Sequence, residues 1–434
     1  MPHLTATRTA PESPEPGVKA VPWWRRYGAA LVPPLVALGL AWGMIAIRSP
    51  YGGWRLFAPP SYGRWDTGHY LHIARSGYTA VWHCPSSSLP ANLPPGNYLC
   101  GTIGWFPGYP FATRGLSEVT RIPLPTAGLI LAWACWYLVL VIMWRLLADA
   151  CSIWTRWMCL LIAAFFPGQI YFAAIFPISM CIAAILGCLC LALRTSRPIL
   201  AWVGFATGFI AAYSYLTAIV LLPALLITGL LVLRGPPRRQ AVIPALGAAA
   251  GFGAVLLTMQ IAVGIWDAYF ISVKKYGVGA HMPLDTLIDR LRPLWTAQPS
   301  GEQVQNYAAS QTLLTLCFAG LACLVTIVGA IRGRHPPEVR PQSGPGPVEP
   351  RSWAAAIESR ISAFDLVFVL MSVGVWLVPY IAGGSASIYR SEAFVIVSVP
   401  LLRRLPGWML VLPLGAAVWV AWHMAPYFFN YRLK

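Results

Sequence analysis

Only 14 of the 434 residues are acidic, and one of them stands where a carboxylate can do chemistry. The run Arg64-Trp65-Asp66-Thr67-Gly68-His69-Tyr70-Leu71-His72-Ile73 sets Asp66 among aromatic rings, directly after the first apolar run long enough to cross a bilayer. A carboxylate beside rings and lipid is expensive, so its placement points to a working group, and a fixed carboxylate is a natural proton acceptor. The plainer role is to cap a short helix starting at Thr67, a common use of Asp. The two roles are compatible, because a capping turn also holds the carboxylate in space. Helical spacing from Asp66 then aligns Tyr70, Ile73 and Gly77 on one face. His69 and His72 have a spacing that two metal ligands on a helix can use, but no further ligand set accompanies them, and no metal is expected.

The elements that must position Asp66 are set by composition. Hydrophobic residues make up 57% of the chain and charged residues 10%, and the mean hydropathy is +0.62. This is the composition of an all-α integral membrane protein, not of a soluble domain. The formal net charge of +17 does not indicate nucleic acid. Its arginines cluster between apolar runs, where they orient helices, and no basic arm with stacking aromatics stands apart from the spans. Residues 1–22 read as a disordered cytoplasmic tail, and 23–434 as one polytopic domain. The sequence Trp23-Trp24-Arg25-Arg26 is an interfacial anchor that places the N-terminus in the cytoplasm.

Apolar runs predict spans at 27–47, 127–147, a pair within 157–193, a pair within 199–233, then 241–263, 312–331, 363–381, a short one ending at Arg403-Arg404, and 407–425. That makes about 11. Residues 48–125 form a long first outer loop, too broken by Pro and Gly to span and aromatic enough to lie on the membrane as short helices. A second outer loop covers 264–311, and a Pro-rich cytoplasmic linker covers 332–360. On this topology Asp66, Glu118, Asp267, Asp285, Asp289, Glu302 and Glu392 lie outside, the last in a short turn from Ser385 to Glu392. Cys84 and Cys100 share the first outer loop and either pair in an oxidising compartment or stay free. The other cysteines fall mostly within spans as small apolar filler.

The pattern Arg64-Trp65-Asp66-x-x-x-Tyr70-x-x-Ile73-Ala74-x-x-Gly77-Tyr78 resembles the signature of the PIG-V family, polytopic mannosyltransferases of the GT-C superfamily. Trp105-Phe106-Pro107-Gly108-Tyr109-Pro110 is similar to that family's Phe-Phe-Pro-x-Tyr-Pro element. Weaker matches are Phe165-Phe166-Pro167 with Tyr171-Phe172-Ala173-Ala174, and Ser387-x-x-Arg390 followed by Pro400. The chain departs from the pattern twice. Ile175-Phe176-Pro177 stands where relatives carry Tyr-x-Glu, and no Arg occurs around Tyr213 to Thr217.

The resemblance implies an enzyme that transfers a hexose, typically mannose, from a polyprenyl-phosphate donor, with inversion; the Pro-rich cytoplasmic linker and the lack of retention signals favour a bacterial cell membrane over the endoplasmic reticulum. Asp66 is then the base. Arg390 is the first choice for the departing phosphate, with His69 second and Lys274 or Lys275 after them. Their plainer roles are snorkelling for Arg390 and solvated loop charge for the lysines, the latter being the preferred reading for that pair. Arg64, Trp65, Tyr70, Phe106 and Tyr109 are the remaining binding candidates, and Tyr78 and Trp105 are further aromatic walls for a sugar. Interfacial anchoring accounts for most of the other tryptophans. The expected partners are the polyprenyl-phosphate donor, a lipid- or glycan-linked acceptor and membrane lipid, with no cofactor. A transporter or flippase is the rival reading. It calls for ionisable residues in mid-span, whereas here the polar residues gather in the loops. A catalytically degenerate GT-C-like protein is the third.

Overall fold

A computed structural model describes residues 23–89, 93, 96–148, 150–194, 198–233, 236–296, 303–332, 362–383 and 388–430. The tail 1–22, nearly all of the linker 332–360, Glu302, Arg197, Arg234 and residues 385–387 lie outside the described residues, as do the side chains of Trp23-Trp24-Arg25-Arg26.

Among the described residues the chain is mostly helical. In order, the principal helices are α1 (Trp23–Arg48), α2 (Thr67–Ser76), α3 (Gly108–Thr120), α4 (Leu124–Leu146), α5 (Ile153–Ala164), α6 (Ile178–Arg194), α7 (Pro198–Ser214), α8 (Leu221–Leu231), α9 (Pro236–Val263), α10 (Ala268–Lys274), α11 (Pro283–Leu291), α12 (Gln303–Ile331), α13 (Ala363–Ala382), α14 (Ile388–Glu392) and α15 (Val411–Phe429). Among the described residues, six are long and apolar enough to cross a membrane: α1, α4, α9, α12, α13 and α15 with its preceding turn.

The expectation of about eleven spans is therefore not met by helix length. The runs 157–193 and 199–233 do each resolve into two helices, but these are short. A helix of the 12 residues Ile153–Ala164 reaches only about 18 Å, against a hydrocarbon core of roughly 30 Å. The first run is broken at Pro167 and Pro177, where the chain bends through a short turn at Ile170–Ala173. The expected short span before Arg403-Arg404 is instead a 3₁₀ segment, Ala393–Arg404, whose residues are buried from Ala393 to Arg403. Arg403 Nη2 donates to Asp365 Oδ1 at 2.9 Å, and Arg404 holds the other oxygen of the same fully buried carboxylate. This basic pair is thus engaged inside the protein as well as terminating an apolar run.

Small residues let two of the helices touch backbone to backbone. A Cβ on Gly247 or Gly251 of α9 would lie 2.2 or 2.3 Å from the carbonyl oxygens of Phe205 and Phe209 of α7. Gly204 and Gly208 return the contact toward Pro244. Such close approach is how helices gain packing energy where lipid removes the hydrophobic drive.

The first long loop holds short helices, as expected, and also a two-stranded antiparallel ribbon, β1 (Val81–His83) with β2 (Leu99–Gly101). Cys84 and Cys100 are joined as a disulfide across its end, with Cα atoms 5.1 Å apart. Gly101 takes φ +93, and a Cβ there would sit 1.9 Å from the Ala80 carbonyl oxygen. Only glycine allows that crossing.

Candidate active site

Asp66 is held at the start of α2 by the residues on either side. Buried Arg64 turns away from the bundle's cavity: Nη1 donates to the Pro60 and Gly63 carbonyls at 2.8 and 3.1 Å, and Nη2 to Tyr51 Oη at 2.8 Å. The Arg64 amide donates to Thr67 Oγ1 at 3.1 Å. Between these anchors Trp65 is forced to φ +40, a left-handed backbone that costs a non-glycine residue about 1–3 kcal/mol. Its ring packs edge-on against Phe428, with centroids 5.5 Å apart. Asp66 occupies the N-cap position of α2, yet its side chain makes no capping hydrogen bond. The capping role is therefore not the one the carboxylate plays.

Its partner comes from 324 residues away: Arg390 Nη1 donates to Asp66 Oδ2 in a close ion pair. The Arg390 side chain is 8% exposed and that of Asp66 24%. Both line a cavity of about 370 Å³. The arginine sits over the Phe176 ring at 5.5 Å. Two residues on, Glu392 fixes the short helix α14. It accepts hydrogen bonds from Thr312 Oγ1 at 2.6 Å, Tyr380 Oη at 2.7 Å and Gln311 Nε2 at 3.0 Å. Gln311 also donates to the Tyr389 carbonyl at 2.6 Å. Glu392 is fully buried within the protein. Three donors satisfy it there, as a buried carboxylate requires.

The other sequence candidates divide into cavity walls and supports. Trp65, Tyr70, Trp105 and Phe106 line the cavity with Asp66 and Arg390. Tyr109 is not in the wall: it is fully buried, donates to the Gly128 carbonyl at 2.7 Å, and meets Tyr70 edge-on at 5.8 Å. Arg64 does not reach the cavity. Tyr78 lies outside as well and donates to the Trp105 carbonyl at 2.6 Å. His69 stacks on Trp105 with centroids 3.6 Å apart. Burial pushes its imidazole below the usual range, against the opposing pull of Asp66.

The second long loop closes over the same space. Tyr269, Val273, Tyr276 and Val278 line the cavity, and the amides of Gly279 and His281 donate to the Ala382 and Ile381 carbonyls at 2.8 Å. The lysines separate here. Lys274 is exposed, as the loop-charge reading expects. Lys275 is 7% exposed, and its Nζ donates to the Leu99 carbonyl of β2 at 3.1 Å. Lys275 is therefore a clasp between the two loops, and burial lowers its pKa.

Sequence reasoning missed several wall residues: Phe176, Ser214, Tyr215, Thr217, Tyr269 and Ser391. A signal for some was present. The chain departs from the resembled pattern at Ile175-Phe176-Pro177 and around Tyr213 to Thr217, and from these places Phe176 and Ser214 to Thr217 line the cavity. Among the described residues, no group of three or more His, Cys, Asp or Glu side chains gathers to hold a metal.

No protein-family model matches the chain, and no curated protein matches it. Among solved structures it is similar to the apo form of the Archaeoglobus fulgidus oligosaccharyltransferase, with a TM-score of 0.49 at 12% identity over 95% of this chain and 57% of that one. The same protein with Zn and sulfate gives 0.47 at 11% identity over 90% and 53%. The archaeal oligosaccharyltransferase AglB from the same organism, in complex with an inhibitory peptide and a dolichol-phosphate, gives 0.46 at 12% identity over 93% and 56%. The chain spans a little over half the length of these proteins.

Proposed function

We propose that the chain is a GT-C-type membrane glycosyltransferase of the PIG-V kind. On this reading it moves a hexose, mannose by resemblance, from a polyprenyl-phosphate donor to a lipid- or cell-wall-linked acceptor. The reaction takes place at the extracytoplasmic face of a bacterial cell membrane, with the N-terminus in the cytoplasm. The observation that carries the proposal is the meeting of Asp66 and Arg390 on one cavity, from positions far apart in the chain.

The chemistry follows from that pair. The donor phosphate takes the Arg390 guanidinium, whose planar donors match phosphate oxygens. Arg390 thereby lets go of Asp66, and the freed carboxylate accepts the proton of an acceptor hydroxyl. The hydroxyl oxygen attacks the anomeric carbon from the face opposite the phosphate. The bond from that carbon to the phosphate oxygen breaks with its electron pair going to the phosphate, and the configuration inverts. Charge growing on the phosphate is met by a cation already in place. Rings of Trp65, Tyr70, Trp105 and Phe106 present apolar faces to the C–H side of a sugar.

The direct test compares wild type and Asp66→Asn in membranes supplied with radiolabelled polyprenyl-phosphate mannose. Loss of labelled product by a factor of about 10²–10⁴ supports the proposal, since that is what a positioned general base contributes. Equal transfer by both proteins overturns it, and uptake of label without a covalent product indicates a transporter instead.

A further inference from the structure

A second cavity, of about 460 Å³, opens between the ends of α1, α12 and α15 and shares no wall residue with the first. Its walls are polar for a membrane protein: Arg48, Tyr307, His423, Tyr427 and Asn430, with Pro426. No carboxylate is among them. Arg48 closes α1, Tyr307 lies in the second turn of α12, His423, Pro426 and Tyr427 occupy the last two turns of α15, and Asn430 caps its C-terminus. All three helix ends lie on the side where the chain passes into the Asp66 loop.

The cation is fixed in advance. Arg48 Nε donates to the Trp422 carbonyl at 3.1 Å, and the guanidinium stands 4.7 Å from the centre of the Trp422 ring. These contacts leave the two terminal nitrogens for a ligand. His423 Nδ1 lies 2.8 Å from the Trp419 carbonyl, an oxygen that only accepts, so Nδ1 carries the proton and Nε2 is left over. Tyr307 stacks on His423 at 4.7 Å and lies 5.8 Å from Tyr427, which puts two phenols beside the imidazole. A preset guanidinium and two phenol donors with no opposing carboxylate form a receptor for phosphate oxygens, beside an imidazole nitrogen that can accept from a headgroup hydroxyl.

We infer that this cavity binds the phosphate of an anionic lipid headgroup, separately from the cavity that holds Asp66. The source is lipid because the receptor is assembled from the ends of three membrane-length helices, at the depth where headgroups lie.

The test is native mass spectrometry of the full-length protein in detergent, titrated with phosphatidylglycerol or phosphatidylcholine, with and without inorganic phosphate. The expected result is selective retention of phosphatidylglycerol, lost by about tenfold in Arg48→Gln, as removal of a charged hydrogen-bond partner implies. The double variant Tyr307→Phe with Tyr427→Phe keeps the rings and the packing, and its retention falls several-fold while its melting temperature holds. Unchanged retention in that folded double variant overturns the proposal. So does equal retention of the two lipids by wild type, or displacement of the lipid by millimolar inorganic phosphate. Each outcome is independent of sugar transfer, so failure here leaves the Asp66 reading standing, and the reverse.

Discussion

A single carboxylate and a single guanidinium carry the proposed chemistry, and their ion pair is the resting state. His69 adds a titratable neighbour whose imidazole is held down by burial. The folded protein therefore binds its proton less readily than the unfolded chain does. Stability from His69 is complete above the ordinary value of 6.5 and is lost as the pH falls from there through the lower folded value. Thermal melting followed from pH 7.5 to 5 checks this: wild type loses stability across that window, and His69→Gln flattens the loss. Of the residues that meet in the cavity, those carried by local pattern were legible in sequence: Asp66 with Trp65 and Tyr70, and Trp105 with Phe106. Arg390 came only through resemblance, because nothing within ten residues of it marks it as a partner of Asp66. The burial of Glu392 was not legible for the same reason. Its reasons for being buried are Thr312, Gln311 and Tyr380, and two of those lie some 80 positions away.

The elements that hold the pair make their own predictions. Gly108 begins α3, where a Cβ would sit 2.5 Å from Ser214 Oγ and 2.8 Å from the Tyr213 carbonyl oxygen. Gly108→Ala should cost about 1–3 kcal/mol by overpacking, read as a lowered melting temperature. The disulfide Cys84–Cys100 closes a loop of 16 positions, and replacing both by Ser should cost about 3 kcal/mol on the loop-entropy argument. Glu392→Gln keeps the volume but sets an amide where the Gln311 amide now donates. The expected result is a raised KM for the donor, through a displaced Arg390, with the rate at saturating donor retained; an unchanged KM would show that Glu392 is structural only. Helix breaks were harder to read than helix existence. The apolar run 157–193 is continuous in composition, so only Pro167 and Pro177 hinted that it folds into helices too short to span.

For the whole molecule, the sequence supports a membrane protein with its chemistry gathered at one end, and the fold builds that end from both long loops. The first brings Asp66, the second roofs the cavity with Tyr269 and Tyr276 and clasps β2 through Lys275, and α14 delivers Arg390 from near the C-terminus. This assembly could not be read from periodicity, since each part is short and none is amphipathic enough to announce its partner. Its central claim is a division of labour: Arg390 holds the donor phosphate, and Asp66, released by that phosphate, takes the proton. The most direct measurement is equilibrium binding of polyprenyl-phosphate mannose to Asp66→Asn, alongside its rate of transfer. The account predicts binding at least as tight as wild type, because the guanidinium no longer has to leave a carboxylate, together with transfer abolished. Binding lost together with transfer, or transfer preserved, would contradict it.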